Sequence, residues 1–102
     1  MELTIKNNHN YFEVEGILVK YNVHLFQKKF QHIFDKRDGL TLNITGLNRI
    51  DSFGINAIAK IHNEAISRQK RFSIIGLGNN ELFNHFKTIE SVENLENVVA
   101  IL

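Results

Sequence analysis

Apolar residues recur along the chain with two different periods, and segments of the two kinds follow one another in a regular order. A period of two is typical of strands with one buried face, and a period near 3.6 is typical of helices that pack on a core. The predicted strands lie near residues 3–6, 11–15, 40–45, 72–75 and 98–102, and the predicted helices near residues 23–34, 52–69 and 82–86. The predicted order is therefore ββαβαβαβ.

This order predicts an α/β fold with a small mixed sheet. Two strands separated only by the turn residues 7–10 predict a hairpin, whereas strands separated by helices are expected to pair in parallel. Residues 40–45 alternate Leu and Ile with Thr and Asn, so we expect the crossover helices to pack mainly on one face of the sheet. Asn22 and Gly39 are the expected start and stop of the first helix. With no proline, linker or repeat, residues 1–102 are interpreted as a single domain.

Composition excludes several classes of function. Without cysteine, the chain has no disulfide framework, thiolate zinc site or cysteine nucleophile. Twelve Lys and Arg against eleven Asp and Glu leave a net charge of +1, which is too small for a nucleic-acid partner. No apolar run is long enough to span a membrane, and the first residues lack the pattern of a signal peptide. We therefore expect a cytoplasmic protein that does not span the membrane.

No catalytic or cofactor-binding pattern is visible among the reactive side chains. The five histidines form no pair at the spacing of metal ligands, so no metal is expected. The flanks of Ser52 do not form a nucleophile elbow, so we expect no catalytic residue and no enzyme. Gly76-Leu77-Gly78 contains part of a phosphate-binding loop, but the third glycine and the Lys-Ser/Thr pair are missing. Nucleotide binding is thus the least favoured alternative, and no cofactor is expected.

One segment is specific enough to indicate a family. Residues 40–57 read LTLNITGLNRIDSFGINA, which resembles the signature of STAS domains: a strand, a short loop, and Asp-Ser-Ser-Gly-Leu opening a helix. The resemblance extends to the strand at residues 71–76 and to residues 82–92, which look like the closing helix and connection of the family. It covers the chain from about Leu3 onwards. The fold that it implies, a STAS-like small mixed sheet with crossover helices, agrees with the order of elements predicted above.

The resemblance implies a switchable protein-binding module. Many members of the family are anti-sigma-factor antagonists, which bind an anti-sigma kinase and release it when the serine before the glycine is phosphorylated. Here Phe53 occupies that position and cannot accept a phosphate, so the usual switch is expected to be absent. Ser52 matches the first serine of the motif. Either Asp51 or Ser52 can cap the helix; Ser52 is interpreted as its cap and kept as a possible secondary phospho-acceptor. Asn43 replaces an aspartate common in the family, which also favours a constitutive binder.

The start of the second helix is the predicted contact surface. Phe53 lies above Asn56, Lys60 and Asn63 on the polar stripe of that helix, so its ring is expected to be exposed. Exposed aromatic residues are enriched at the centres of interfaces. In the alternative interpretation, Phe53 folds back against Leu47 or Ile50. The predicted partner-binding residues are Ile50, Asp51, Ser52, Phe53, Asn56 and Lys60.

Two kinds of protein partner fit this surface. The first is an anti-sigma kinase or another regulatory ATPase, which makes the chain a non-catalytic regulator of transcription. The second is the ATPase of an ABC transporter of the lipid-transport type, to which the chain would be bound permanently as a subunit. Since the second role needs no switch, the loss of the acceptor at Phe53 lends weight to this alternative, while the first role is the leading hypothesis.

Overall fold

One mixed sheet forms the centre of the part of the chain that the structure describes, which is residues 2–76 and 98–101 of a computed structural model. The strands are β1 (Leu3–Asn8), β2 (Tyr11–Leu18), β3 (Gly39–Ile50), β4 (Arg71–Ile75) and β5 (Val98–Ile101), and the helices are α1 (Val23–Phe30) and α2 (Ser52–Ser67). The strand order in the sheet, β1-β2-β3-β4-β5, is the order along the chain. The third helix predicted near Leu82 lies outside the described residues.

The first two strands form the predicted hairpin. β1 and β2 pair antiparallel, from Leu3 opposite Gly16 to Asn8 opposite Tyr11, and only His9 and Asn10 separate them. His9 takes a positive φ of 57°, a conformation that tight turns of this kind require. The carbonyl of Asn10 accepts a hydrogen bond of 2.7 Å from the backbone N–H of Thr41. The hairpin turn is thereby joined to the start of β3.

The other strands pair in parallel, and both described helices cover the same face of the sheet. β2, β3, β4 and β5 are parallel neighbours, with α1 crossing from β2 to β3 and α2 crossing from β3 to β4. Alternate residues of the central strands are buried with the helices in one core: Phe12, Val14, Leu40, Leu42, Ile44, Phe72 and Ile74 from the sheet, and Phe26, Phe30, Ala57, Ile58, Ile61 and Ala65 from the helices. Residues between them are half-buried on the other face. The prediction that the helices crowd one face is confirmed.

β3 is longer than its apolar alternation predicts. The sequence indicates a turn from Thr45 onwards, yet the strand continues to Ile50 because β2 continues beside it. At two points of this pairing β3 has one residue more than β2, and these irregularities let Glu15 pair with Gly46 and Leu18 with Ile50. Residues 45–50 look like loop material in sequence because they include Gly and Asn, and only the neighbouring strand makes them extended.

α1 is shorter than predicted. The helix ends at Phe30, whereas Ile33 and Phe34 follow in turns but are still buried, at 6% and 0% exposure. Gly39 does not stop the helix but begins β3. The helical spacing therefore identified the apolar residues that are buried in the core. Ile33 and Phe34, however, belong to the irregular backbone after the helix and not to the helix itself.

Candidate functional site

Asp51 is the single residue between the end of β3 and the start of α2, and it caps the helix. Its carboxylate accepts hydrogen bonds from the backbone N–H of Gly54, at 3.1 Å, and of Lys20, at 2.9 Å. Partial burial alone would raise the pKa of Asp51, but these hydrogen bonds, a further one from Phe53 and the charge of Arg49 bring the pKa below its ordinary value of 3.8. The charged carboxylate thus fixes the helix start against the loop that follows β2.

Gly54 allows α2 to approach the sheet at this point. A Cβ atom at this position would lie 2.5 Å from the carbonyl oxygen of Leu18 and 2.7 Å from a side-chain carbon of Ile50. Both distances are too short for any side chain, so the first turn of α2 is held directly against the ends of β2 and β3. The Asp and Gly of the motif therefore have separate structural roles: Asp51 caps α2, and Gly54 allows α2 to pack closely on the sheet.

Phe53 lies between these two residues and points away from the core. Its side chain is 46% exposed, and the ammonium nitrogen of Lys20 lies 5.2 Å from the centre of its ring, within range of a cation–π interaction. Phe53, Asn56 and Lys60 line one groove between the two helices, together with Val23 and Gln27 of α1. We call this surface the interhelical groove.

The structure divides the six predicted contact residues into three groups. Phe53, Asn56 and Lys60 are exposed and lie together in the interhelical groove. Ile50 is half-buried and packs against the core, and Asp51 is occupied by the capping hydrogen bonds. Ser52 is exposed at the first helical position, while the capping carboxylate belongs to Asp51. The interpretation of Ser52 as the cap is therefore wrong, because the extended backbone of Asp51 is the one that turns its side chain towards the helix.

Sequence reasoning missed the part of this groove that comes from outside α2. Lys20 covers the ring of Phe53, and Val23 and Gln27 form the opposite wall. The helical period identified α1 as a core helix, but periodicity within one helix does not show which of its residues face another helix. The spacing of Val23 and Gln27, four residues apart on one face, is the only local sign that both reach the same neighbour.

Asn43 lies on the sheet face that the helices leave uncovered. Its side-chain amide donates to the hydroxyl of Tyr11 at 2.7 Å, and its carbonyl oxygen accepts from the backbone N–H and the hydroxyl of Thr45, at 2.9 and 2.6 Å. An aspartate here would keep the two bonds from Thr45 but lose the donor towards Tyr11. Asparagine therefore links β2 and β3 without adding a charge.

The remaining chemical features predicted from sequence can be placed only in part. In residues 2–76 and 98–101, no group of three His, Cys, Asp or Glu side chains is arranged to hold a metal ion. Gly76 directly follows β4 and has a φ of 108°, and a Cβ there would lie 2.8 Å from the backbone nitrogen of Thr45. Leu77 and Gly78 lie outside the described residues. Neither of the two described helices is long and apolar enough to cross a membrane.

The motif that ends β3 and opens α2 agrees with a family assignment. A family model described as the STAS domain matches residues 1–93. The chain belongs to the STAS domain family. No curated protein sequence is significantly similar to this STAS domain.

Solved structures share the fold of this STAS domain. An anti-sigma factor antagonist from Mycobacterium paratuberculosis has a TM-score of 0.71 and 10% identity, over 98% of this chain and 84% of that chain. The RsbS protein of Moorella thermoacetica has a TM-score of 0.67 and 16% identity, over 100% of this chain and 87% of that chain. A murine solute carrier 26 family anion transporter has a TM-score of 0.60 and 16% identity, over 91% of this chain but 16% of that chain. At these identities the likeness concerns the fold alone.

Proposed function

We propose that this STAS domain is a cytoplasmic, non-catalytic protein-binding module that resembles an anti-sigma-factor antagonist. Its partner is an anti-sigma kinase or another regulatory ATPase, bound through the interhelical groove and the exposed start of α2. The chain acts by binding its partner and needs no metal, cofactor or nucleotide to do so.

The main support for the proposal is the exposed ring of Phe53. Only Tyr21, Leu25 and Phe53 are large apolar side chains with high exposure in the described part of the chain. Phe53 differs from the other two because it lines a groove beside polar side chains, Asn56 and Lys60, that offer hydrogen bonds and charge. An aromatic anchor with a polar rim is the usual composition of an interface centre. The helix start below the ring is fixed by Asp51 and Gly54, so the contact surface is already formed before binding.

The binding is proposed to be constitutive with respect to position 53, because phenylalanine accepts no phosphate. Ser52 is the candidate secondary acceptor, since its side chain is exposed at the first helical position. A phosphate on Ser52 would place about two negative charges next to the carboxylate of Asp51. The neutral Asn43 adds no carboxylate to β3, which fits the same view.

A permanent subunit of an ABC transporter is the second proposed role. The solute carrier structure is an anion transporter in which the matched fold forms 16% of the chain, so this fold also occurs as part of a transporter. A permanent subunit needs no phosphorylation switch, and this is the observation at Phe53 that favours it. The two roles use the same surface but differ in the partner that is retained.

The test is a comparison of what the wild-type protein and two variants retain from the lysate of its own cells. Phe53→Asp places a charge in the interhelical groove, whereas Leu25→Asp places the same charge on an α1 side chain of similar exposure, 49% against 46%, that does not line the groove. Circular dichroism and thermal unfolding first show that both variants fold. Mass spectrometry then identifies the retained proteins.

We expect wild type and Leu25→Asp to retain a regulatory ATPase that Phe53→Asp loses by at least tenfold. Recovery of transporter subunits in place of a regulatory ATPase would support the second role. If Phe53→Asp retains the same proteins as wild type, the interhelical groove is not the contact surface. If the wild type itself retains no ATPase of either kind, the proposed function is wrong.

A further inference from the structure

A second concave surface lies at the opposite end of the sheet from Phe53. Asn10 precedes β2, Thr41 lies near the start of β3, and Arg71 and Ser73 belong to the first residues of β4, whereas α2 starts where β3 ends. Lys36 and Arg37, from the loop before β3, complete the wall. We call this surface the basic cleft; it is formed at the amino ends of three parallel strands.

Two acid–base pairs hold the loop that supplies Lys36 and Arg37. The carboxylate of Asp35 accepts from Arg68 at 2.7 Å, and a hydrogen bond of this kind lowers the pKa of Asp35 below its ordinary value of 3.8. The carboxylate of Asp38 lies 3.5 Å from the ammonium of Lys70. In the loop sequence Asp-Lys-Arg-Asp, the first and last residues, Asp35 and Asp38, bind the junction between α2 and β4. The two residues between them, Lys36 and Arg37, line the basic cleft.

The backbone and an aromatic ring fix the cations further. The carbonyl of Asp38 accepts a hydrogen bond of 3.0 Å from the backbone N–H of Arg71, which joins the loop to the start of β4. The guanidinium of Arg37 lies 5.4 Å from the ring centre of Phe12, and one of its N–H groups donates to the carbonyl of Ile33 at 3.4 Å. A guanidinium held in this way loses little freedom when it binds an anion.

The side chains that line the basic cleft suit a phosphate group with a polar remainder. The charged residues that line the cleft are three cations, Lys36, Arg37 and Arg71, and one carboxylate, Asp38. This carboxylate forms an ion pair with Lys70. Guanidinium groups bind phosphate oxygens through paired charge-assisted hydrogen bonds. The hydroxyls of Thr41 and Ser73 and the amide of Asn10 offer hydrogen bonds to sugar-like hydroxyl groups. The cleft has a volume of about 480 Å³, which is ample for a small metabolite.

We propose that the basic cleft binds a small phosphorylated molecule, with Lys36, Arg37 and Arg71 on its phosphate and Asn10, Thr41 and Ser73 on its polar remainder. A nucleic acid fits this surface less well, because three cations neutralise few phosphates and the net charge of the chain is only +1. The proposal does not depend on the protein partner of the interhelical groove. It adds a small-molecule site at the other end of the same sheet.

The test is a titration followed by the amide resonances of the ¹⁵N-labelled protein, with ribose 5-phosphate, inorganic phosphate and ribose as separate probes. Ribose 5-phosphate at millimolar concentration is expected to shift the resonances of Asn10, Thr41 and Ser73 with a saturable curve. Inorganic phosphate is expected to bind more weakly and to shift mainly the resonances of Lys36, Arg37 and Arg71, and ribose is expected not to bind. Higher ionic strength should weaken the binding of both phosphate probes.

Two variants distinguish specific binding in the basic cleft from a general attraction of phosphate to positively charged side chains. Arg71→Ala removes a cation of the basic cleft and is expected to weaken ribose 5-phosphate binding roughly tenfold, the usual effect of losing one charge-assisted hydrogen bond. Arg49→Ala removes an exposed arginine near the far end of β3 and is expected to change nothing. Equal weakening in both variants, shifts outside the cleft, or ribose 5-phosphate binding no tighter than phosphate would overturn the proposal. Phe53→Asp should bind the probe normally, so failure of one proposal is distinguishable from failure of the other.

Discussion

At the scale of single residues, Asn22 and Asp51 both precede a helix but act differently because their backbones differ. Asp51 is extended, with φ −111° and ψ −176°, so its carboxylate turns back to the helix N–H groups. Asn22 has φ −125° and ψ 7° and makes no capping bond from its side chain. Instead its amide accepts from the backbone of Val19 and donates to that of Ile17, at 3.0 and 3.1 Å. Asn22 is 5% exposed, and it holds the bend between β2 and α1.

The first prediction concerns the charge of Asp51. Because its folded pKa is lowered from 3.8, the charged form stabilises the fold; this contribution is complete above that pH and is lost as pH falls through the folded pKa. Asp51→Ala should lower the free energy of unfolding by about 1 kcal/mol near neutral pH. Urea denaturation across the acid range measures whether this difference shrinks below the ordinary pKa.

Asp51→Asn is the matched control, since asparagine keeps a capping oxygen without the charge. Its cost should be smaller than that of alanine. If the difference between wild type and Asp51→Ala is constant as the carboxylate protonates, the charge contributes nothing and the hydrogen-bond geometry alone explains the cap.

At the scale of elements, the contact between α2 and the sheet determines where the functional surface lies. Eight residues of α2 are buried: Gly54, Ile55, Ala57, Ile58, Ala59, Ile61, His62 and Ala65. Gly54 keeps the start of the helix close to the strand ends, because no side chain fits between them. His62 is fully buried, with the centre of its ring 6.1 Å from that of Phe72.

The second prediction is that Gly54→Ala destabilises the protein although alanine is the better helix former. The intrinsic helix preference favours alanine by about 1 kcal/mol. The new Cβ, however, would meet the carbonyl oxygen of Leu18 at 2.5 Å, so α2 must shift away from the strand ends. We expect a net loss of about 1–3 kcal/mol in the free energy of unfolding.

Asn63→Ala serves as the control for this substitution, because Asn63 is exposed on the same helix and should be neutral or slightly stabilising. Both free energies come from chemical denaturation with two independent probes. A Gly54→Ala protein as stable as wild type would show that the helix start adapts and that close packing does not explain the glycine.

At the scale of the whole molecule, the sheet separates two surfaces of different character. The interhelical groove adjoins the start of α2, where β3 ends, and the basic cleft lies where β2, β3 and β4 begin. β3 lies between two parallel neighbours and extends over twelve residues, from one end of the sheet to the other. β1 is an edge strand of the sheet, and most of its residues are exposed.

The third prediction follows from this arrangement. Amide hydrogens in β3 should exchange most slowly, because both neighbouring strands must separate before they open. Amides in β1 should exchange much faster, since the strand has one neighbour and little buried surface. Native-state hydrogen exchange at neutral pH measures both. Protection in β1 equal to that in β3 would indicate that another chain or segment covers this edge.

The local pattern of residues was enough to predict most of the element order and the family motif. Alternation predicted the hairpin and the central strands, and the helical period predicted α2 almost to its ends. The pattern failed where neighbours decide the backbone: residues 45–50 are extended because β2 pairs with them, and α1 ends early although Ile33 is still buried. The three exposed residues of the candidate site were predicted together because they share one helix.

By itself, the sequence determined which residues avoid water and how the chain alternates between strand and helix, because both depend on the spacing of neighbouring side chains. It also determined that position 53 holds a side chain unable to accept phosphate. Only the tertiary structure decided that Asp51 caps α2, that Lys20 covers Phe53, and that two segments far apart in the chain bring Lys36 and Arg71 into one cleft. These contacts join residues that are distant in sequence or depend on a single backbone angle, so no local pattern could contain them.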